Sequence, residues 1–192
     1  MKRIFLNENI ISLIFQNRSE KSGGYRKAFY QGRKIRNTTL KQGEQRMDYK
    51  IRIATPNDHD LIYALKAESV RPYVEKIWGW DEDYQKKDFD SDFSNIEQFH
   101  VIEIDNSFVG FVQYYFEYPY FEVVEIHLLP ECRGKGIGSD ILRNLQKVCV
   151  AQDRKIRIGC FKENYWAKQL YEKLGFVQAE ETDTHFILEY SK

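Results

Sequence analysis

The chain reads as an α+β domain built on a mixed, mostly antiparallel sheet, and three observations carry that reading. Segments of period two and of helical period alternate as a strand, two helices, three strands, a helix, a strand, a helix and a closing pair of strands. The three middle strands are joined by the polar turns Asp105-Asn106-Ser107 and Tyr118-Pro119, which make hairpins and therefore antiparallel neighbours. A glycine-dense hexamer, Arg133-Gly134-Lys135-Gly136-Ile137-Gly138, then links an apolar strand to an amphipathic helix.

The elements follow in order. Lys50 to Thr55 alternates as a first strand, Pro56-Asn57-Asp58 is a turn and cap, and Leu61, Ile62, Ala64 and Leu65 give the apolar face of a first helix. A second helix runs from about Asp83 to Phe93. Strands are expected near Phe99–Ile104, Phe108–Glu117 and Tyr120–Leu129, then a helix from Ser139 to Val150 and a strand at Lys155–Phe161. In the last helix, Asn164 suits the N-cap, Ala167, Leu170, Tyr171 and Leu174 recur at helical spacing, and Gly175 suits the left-handed position past the end. Strands near Val177–Glu180 and His185–Tyr190 close the domain.

A chain of 192 residues with 42% apolar and 15% aromatic content can bury a sizeable core. Its zero net charge hides an asymmetry. Residues 1–46 hold 11 Lys and Arg against 3 Asp and Glu, leaving 18 against 26 in the rest. Residues 1–46 are expected to be a basic, disordered tail or a mis-assigned upstream extension, with translation or the functional domain starting at Met47 and the domain spanning residues 47–192. The acidic body makes nucleic acid an unlikely main partner and favours cationic ones. Cys132, Cys149 and Cys160 are odd in number and lack CxxC spacing, and the four histidines lack metal-ligand spacing, so neither a disulfide framework nor a metal is expected. The apolar run Ile10–Phe15 is too short to span a bilayer and makes a poor signal peptide, so a cytoplasmic protein without a membrane partner is expected.

Backbone N–H groups left open at a helix start, with the positive end of the helix dipole, make an anion site, and glycines let a phosphate come close. A phosphorylated cosubstrate is the first expectation for the hexamer. A P-loop would need Ser or Thr directly after Lys135, where Gly136 stands. The dinucleotide fingerprint would need G-x-G-x-x-G and an acidic residue about 20 positions on. Antiparallel hairpins before the loop also disfavour a doubly wound fold.

What Arg133 to Gly138 resembles is the Arg/Gln-x-x-Gly-x-Gly/Ala pyrophosphate loop of the GNAT superfamily of acetyl-CoA-dependent N-acetyltransferases. The segment N-Y-W-A-K-Q-L-Y-E-K-L-G-F, Asn164 to Phe176, resembles that superfamily's cofactor helix and its Leu-Gly-Phe close. The resemblance covers roughly Tyr49 to Lys192 and is that of a bacterial-type small acetyltransferase. It implies a GNAT acyl-CoA N-acyltransferase fold, its sheet splayed after the fourth strand with helices on both faces. It implies acetyl-CoA as cosubstrate and a primary amine of a small molecule or protein as acceptor.

Site residues follow from the same resemblance. Main-chain N–H groups of Gly134, Lys135, Gly136, Ile137, Gly138 and Ser139 would hold the pyrophosphate, with Arg133 and Lys135 adding charge. Leu128 and Leu129 would lend main-chain groups to the pantetheine arm, and Asn164 would bond its amides or only cap its helix. Tyr171 matches the residue assigned as general acid, although it also fits an apolar helix face. For the base, Glu122 is preferred over Glu125. Strict alternation puts Glu122, Val124, Ile126 and Leu128 on one face and Glu125, His127 and Leu129 on the other; a bulge would swap the faces, and the proton could also leave through water. Where some relatives carry a base on the next strand, this chain has Gly159.

Trp78 and Trp80, with Asp81, Glu82 and Asp83 beside them, stand where an acceptor would enter; they could wall a pocket for an ammonium or only pin a loop. Two competing functions are an acetyl-CoA sensor without turnover and a basic-tailed nucleic-acid adaptor. Self-association as a homodimer is left open.

Overall fold

The computed structural model describes residues 48–191. Residues 1–46 and the expected start at Met47 lie outside the described residues. The order is β1 (Lys50–Ile53), α1 (His59–Trp78), α2 (Glu82–Phe93), β2 (Phe99–Ile104), β3 (Ser107–Glu117), β4 (Tyr120–Leu128), α3 (Ile137–Ala151), β5 (Lys155–Phe161), α4 (Tyr165–Lys173), β6 (Val177–Glu181) and β7 (His185–Tyr190). The boundaries fall within two residues of expectation almost throughout. The first helix is the exception: its apolar face is Ile62 and Leu65, while Leu61 and Ala64 are exposed, and it continues through Pro72 to Trp78.

Its start is firmly held. Asp58 accepts from the Thr55 backbone and hydroxyl at 2.7 and 2.8 Å, and Arg52 grips the same carboxylate at 2.7 and 2.8 Å. Hydrogen bonding from Arg52 holds the carboxyl at about 2, against the pull of burial.

The seven strands lie in the order β1-β2-β3-β4-β5-β7-β6. All neighbours are antiparallel except β4 and β5, which pair in parallel only from Tyr120–Val123 against Lys155–Ile158. Beyond those residues β4 runs on to Leu128 and β5 to Phe161 without pairing to each other, so the sheet opens there into a V. This is the splay after the fourth strand.

One face of the sheet packs Phe99, Val101 and Phe111 against Ile62 and Leu65 of α1 and Phe89 and Phe93 of α2. Phe89, Phe99 and Phe111 are fully buried, each worth about 1.5–3 kcal/mol of transfer free energy. The other face carries Phe121, Val123, Ile156 and Ile158 and is covered by α3 through buried Ile141, Leu142 and Leu145, with α4 beside it. Gln146 of α3 ties the two helices by donating to the Leu174 carbonyl at 2.8 Å. No helix among the described residues is long and apolar enough to cross a membrane.

Candidate active site

The V between β4 and β5 exposes main-chain groups, and strand parity says which. The Leu129 N–H donates to the Val109 carbonyl at 2.9 Å, so Leu129 faces β3 and the groups of Leu128 and Ile126 face the gap. The Leu129 carbonyl is also engaged, by the Cys132 N–H at 2.9 Å. Of the two leucines, then, only Leu128 opens into the V. Ile126 joins it, a residue that counting every second position from Leu128 would have found.

At the mouth of the V the chain turns into α3. Gly134 and Gly136 have φ of +71° and +81°, a region that L side chains enter only with strain. Gly136 is the N-cap and supplies no side-chain oxygen, and the first helical bond is Asp140 N–H to Gly136 at 3.0 Å. The N–H groups of Ile137, Gly138 and Ser139 therefore point outward without helical partners. Beneath them, buried Asp140 accepts from the Tyr49 hydroxyl at 2.6 Å, which fixes the helix start to the first strand's entry. Arg133 does not reach outward: its Nε donates to the Leu128 carbonyl at 2.8 Å and Nη2 lies 3.4 Å from Ser69 Oγ of α1. Lys135 is exposed.

Across the V, Asn164 Oδ1 accepts from the Ala167 N–H at 3.1 Å and caps α4, leaving its Nδ2 hydrogens for a ligand. Gly175 has φ +87°, and the Gly175 and Phe176 N–H groups bond back to Glu172 and Tyr171, each at 3.0 Å. This clamp sets the pitch of Tyr171, which is 6% exposed beside Cys160 of β5. Burial, then Cys160, push its phenol above the ordinary value.

Strict alternation along β4 fails. Gln113 pairs with Glu125 and the next residue, Tyr114, pairs with Val123, so Val124 is an extra residue, and it is 38% exposed. Gln113 faces Glu125 and Tyr115 faces Glu122. Since Gln113 and Tyr115 share a face, the bulge brings both glutamates onto one side, beneath α1 and α2. The separation of the two carboxylates expected from alternation is corrected by this bulge.

Their environments differ. Glu125 accepts from Lys66 of α1 at 3.0 Å and from His127 Nε2 at 3.0 Å; a carboxylate only accepts, which fixes the Nε2–H tautomer. Burial alone would raise its pKa, but Lys66 and His127 outweigh it and hold the carboxyl at about 2. Asp92 of α2 lies 4.0 Å from the same ammonium. Glu122 is 7% exposed, and the cation beside it is Arg157 at 3.9 Å. Burial raises it to about 7; Arg157 opposes this, and Glu117, Glu189 and Glu180 add to it.

The Lys66–Glu125 pair gives a stability prediction. Removing the ammonium by Lys66→Met leaves the half-buried Glu125 carboxylate with His127 alone and should cost about 1–3 kcal/mol, read as a fall in denaturation midpoint. Adding Glu125→Gln should recover much of it. For pH, a folded value depressed from 4.5 to about 2 contributes stability above pH 4.5 that is lost as pH falls toward 2. A wild-type midpoint that is flat over this interval, with Lys66→Met as stable as wild type, would contradict the pairing.

The two tryptophans do not wall one pocket. Trp78 turns to Phe161 of β5, centroids 6.4 Å apart, where Tyr73 also stacks at 4.9 Å, so α1 reaches across to the far arm of the V. Trp80 turns the other way, under Arg71 at 4.6 Å and donating to Glu82 at 2.7 Å. It lines a surface concavity of about 530 Å³ with Glu68, Arg71, Glu75 and Glu82.

Comparison with known proteins agrees with this geometry. The model of the acetyltransferase (GNAT) family matches residues 62–176. No curated protein sequence matches the chain. Among solved structures it is similar to PaiA N-acetyltransferase from Thermoplasma acidophilum in complex with coenzyme A, at 20% identity and TM-score 0.61 over 76% of this chain and 100% of that one. An N-acetyltransferase from Staphylococcus aureus Mu50 aligns at 17% identity and TM-score 0.59 over 73% and 99%. The ribosomal-protein-S18-alanine N-acetyltransferase from Escherichia coli aligns at 17% identity and TM-score 0.55 over 74% and 93%. At these identities the likeness is one of fold.

Proposed function

Because this chain belongs to the acetyltransferase (GNAT) family, we propose that it is an N-acetyltransferase that moves the acetyl group of acetyl-CoA to a primary amine by direct attack. The observation that carries the reading is the opening of β4 from β5 directly in front of an uncapped helix start, with a buried carboxyl and a buried phenol on opposite faces. The outward N–H groups of Ile137, Gly138 and Ser139 receive the pyrophosphate, with the Gly134–Gly136 turn leaving room and Lys135 adding charge. Arg133 leaves the Leu128 carbonyl to join them. Main-chain groups of Ile126 and Leu128 and the Asn164 amide orient the pantetheine arm.

In the reaction the amine nitrogen bonds to the thioester carbon, and the C–S bond breaks. Glu122, raised to about 7, accepts the amine proton, and Tyr171 protonates the departing thiolate. Glu125, held near 2 by Lys66, is a weak base whose role is to anchor α1 on β4. A sensor that binds acetyl-CoA without turnover is the second reading. A buried carboxyl raised to about 7 favours turnover, because binding alone gives no use for it.

The test is acetyl-CoA turnover read by thiol release. The kcat/KM should rise with pH through about 7, because the base works ionised. Glu122→Gln should remove that limb and lower the rate by roughly a hundred- to ten-thousand-fold, with Glu125→Gln costing less. A larger loss in Glu125→Gln, or an unaltered limb in Glu122→Gln, would reassign the base.

A further inference from the structure

Resting on that assignment of the site, we propose that the acceptor is an aliphatic amine that carries a second ammonium and no anionic group, its reacting nitrogen received between Glu122 and Gln113 on the face of β3 and β4. Two deeply buried acceptors stand there, and one of them has no donor. Gln113 is 4% exposed, and its Oε1 has no hydrogen-bond partner. It stands opposite Glu125, one row of about 7 Å from the Tyr115–Glu122 row on the same face. An unsatisfied buried carbonyl costs about 1–3 kcal/mol until a donor arrives.

Glu122 is the second. The guanidinium nearest it is committed elsewhere: Arg157 donates to Glu189 at 2.7 and 3.2 Å and lies 3.8 Å over the Tyr120 ring. At 3.9 Å its third nitrogen is an ion-pair neighbour of Glu122 and not a hydrogen-bond donor. An ammonium brings three hydrogens and a charge, which satisfies both groups at once. It must lose one proton through Glu122 to solvent before its lone pair can attack, which returns Glu122 ionised for the proton released as the C–N bond forms, and a second cation a few carbons away eases that first loss.

The surroundings decide what else the acceptor carries. Glu122 is faced by Tyr115 and Glu117 of β3, Arg157 of β5, Glu180 of β6 and Glu189 of β7. Three of these are carboxylates and one is a cation already paired with two of them. An acceptor carboxylate or phosphate would meet like charge at close range, worth about 4 kcal/mol at 4 Å with an effective dielectric constant of 20. A second ammonium instead meets Glu180, on an exposed rim strand.

The full chain with acetyl-CoA should be offered putrescine, cadaverine, butylamine and γ-aminobutyrate, with thiol release followed and products confirmed by mass. The diamines should exceed butylamine and γ-aminobutyrate in kcat/KM by about tenfold or more. Gln113→Met, similar in size and without the orphan oxygen, should raise the diamine KM about tenfold while calorimetric acetyl-CoA affinity stays as in wild type. Equal or better use of γ-aminobutyrate overturns the acceptor class, and an unchanged diamine KM in Gln113→Met overturns the role of Gln113. Failure to bind acetyl-CoA in calorimetry would instead overturn the function beneath the proposal, which separates the two.

Discussion

Gly138→Asp is expected to abolish acetyl-CoA binding in a protein that still folds. Gly138 is in the first turn of α3 at an ordinary φ, and an added Cβ would meet only Ile126 Cδ1 at 3.9 Å, an ordinary contact. The backbone therefore tolerates the side chain. The carboxylate, however, lies among the outward N–H groups of Ile137 and Ser139 and takes the place a phosphate would occupy. Repulsion between the two anions of about 4 kcal/mol at 4 Å and an effective dielectric constant of 20 is roughly a thousandfold in affinity. Losing the donors as well carries binding below detection. Gly138→Ala supplies the size without the charge and should bind within about tenfold of wild type. Gly136→Asp is a poorer test, since its φ of +81° adds strain to the charge. Calorimetry beside far-UV circular dichroism reads both quantities. Unchanged affinity in folded Gly138→Asp would mean that the α3 start is not the phosphate site.

How much of this was legible in the sequence depended on the range of the interaction. Turn residues and local periods are short-range signals, and the strands at Phe99–Ile104 and Lys155–Phe161 fall where the pattern puts them. Gly175 was legible for the same reason, because a left-handed residue just past a helix end calls for glycine. The site's polarity was not. The bulge at Val124 exists only in the pairing of β4 with β3, and it decides which side Glu122 and Glu125 share. Lys66 carries no signal in the sequence, yet it is half-buried because α1 crosses β4 at Glu125. The Glu122, Arg157, Glu189 and Glu180 group needs three further strand registers to assemble. Trp78 and Trp80 are two positions apart in sequence, but the helix end and Gly79, with φ +82°, send them to opposite sides of α1.

Tyr171→Phe is expected to fold, to bind acetyl-CoA as wild type does, and to turn over roughly ten- to ten-thousand-fold more slowly. The substitution removes one oxygen from a 94% buried ring, and the packing against Phe176, centroids 6.0 Å apart, does not involve that oxygen. The helix end is held by the Gly175 turn and not by the phenol. What is lost is a proton donor. A free thiol titrates near ~8.5 and a phenol near ~10, and burial moves this phenol higher still, so it stays protonated across the working range. The departing thiolate must otherwise take its proton from water, a less well placed donor. The loss should be nearly constant with pH, because the limb at about 7 belongs to Glu122 and remains in place. A core residue would behave differently: Tyr171→Phe would then leave kcat untouched and shift only the melting temperature. Parallel measurement of kcat, acetyl-CoA affinity and thermal midpoint separates the outcomes, and equal turnover at every pH would return Tyr171 to the packing of α4 on β5.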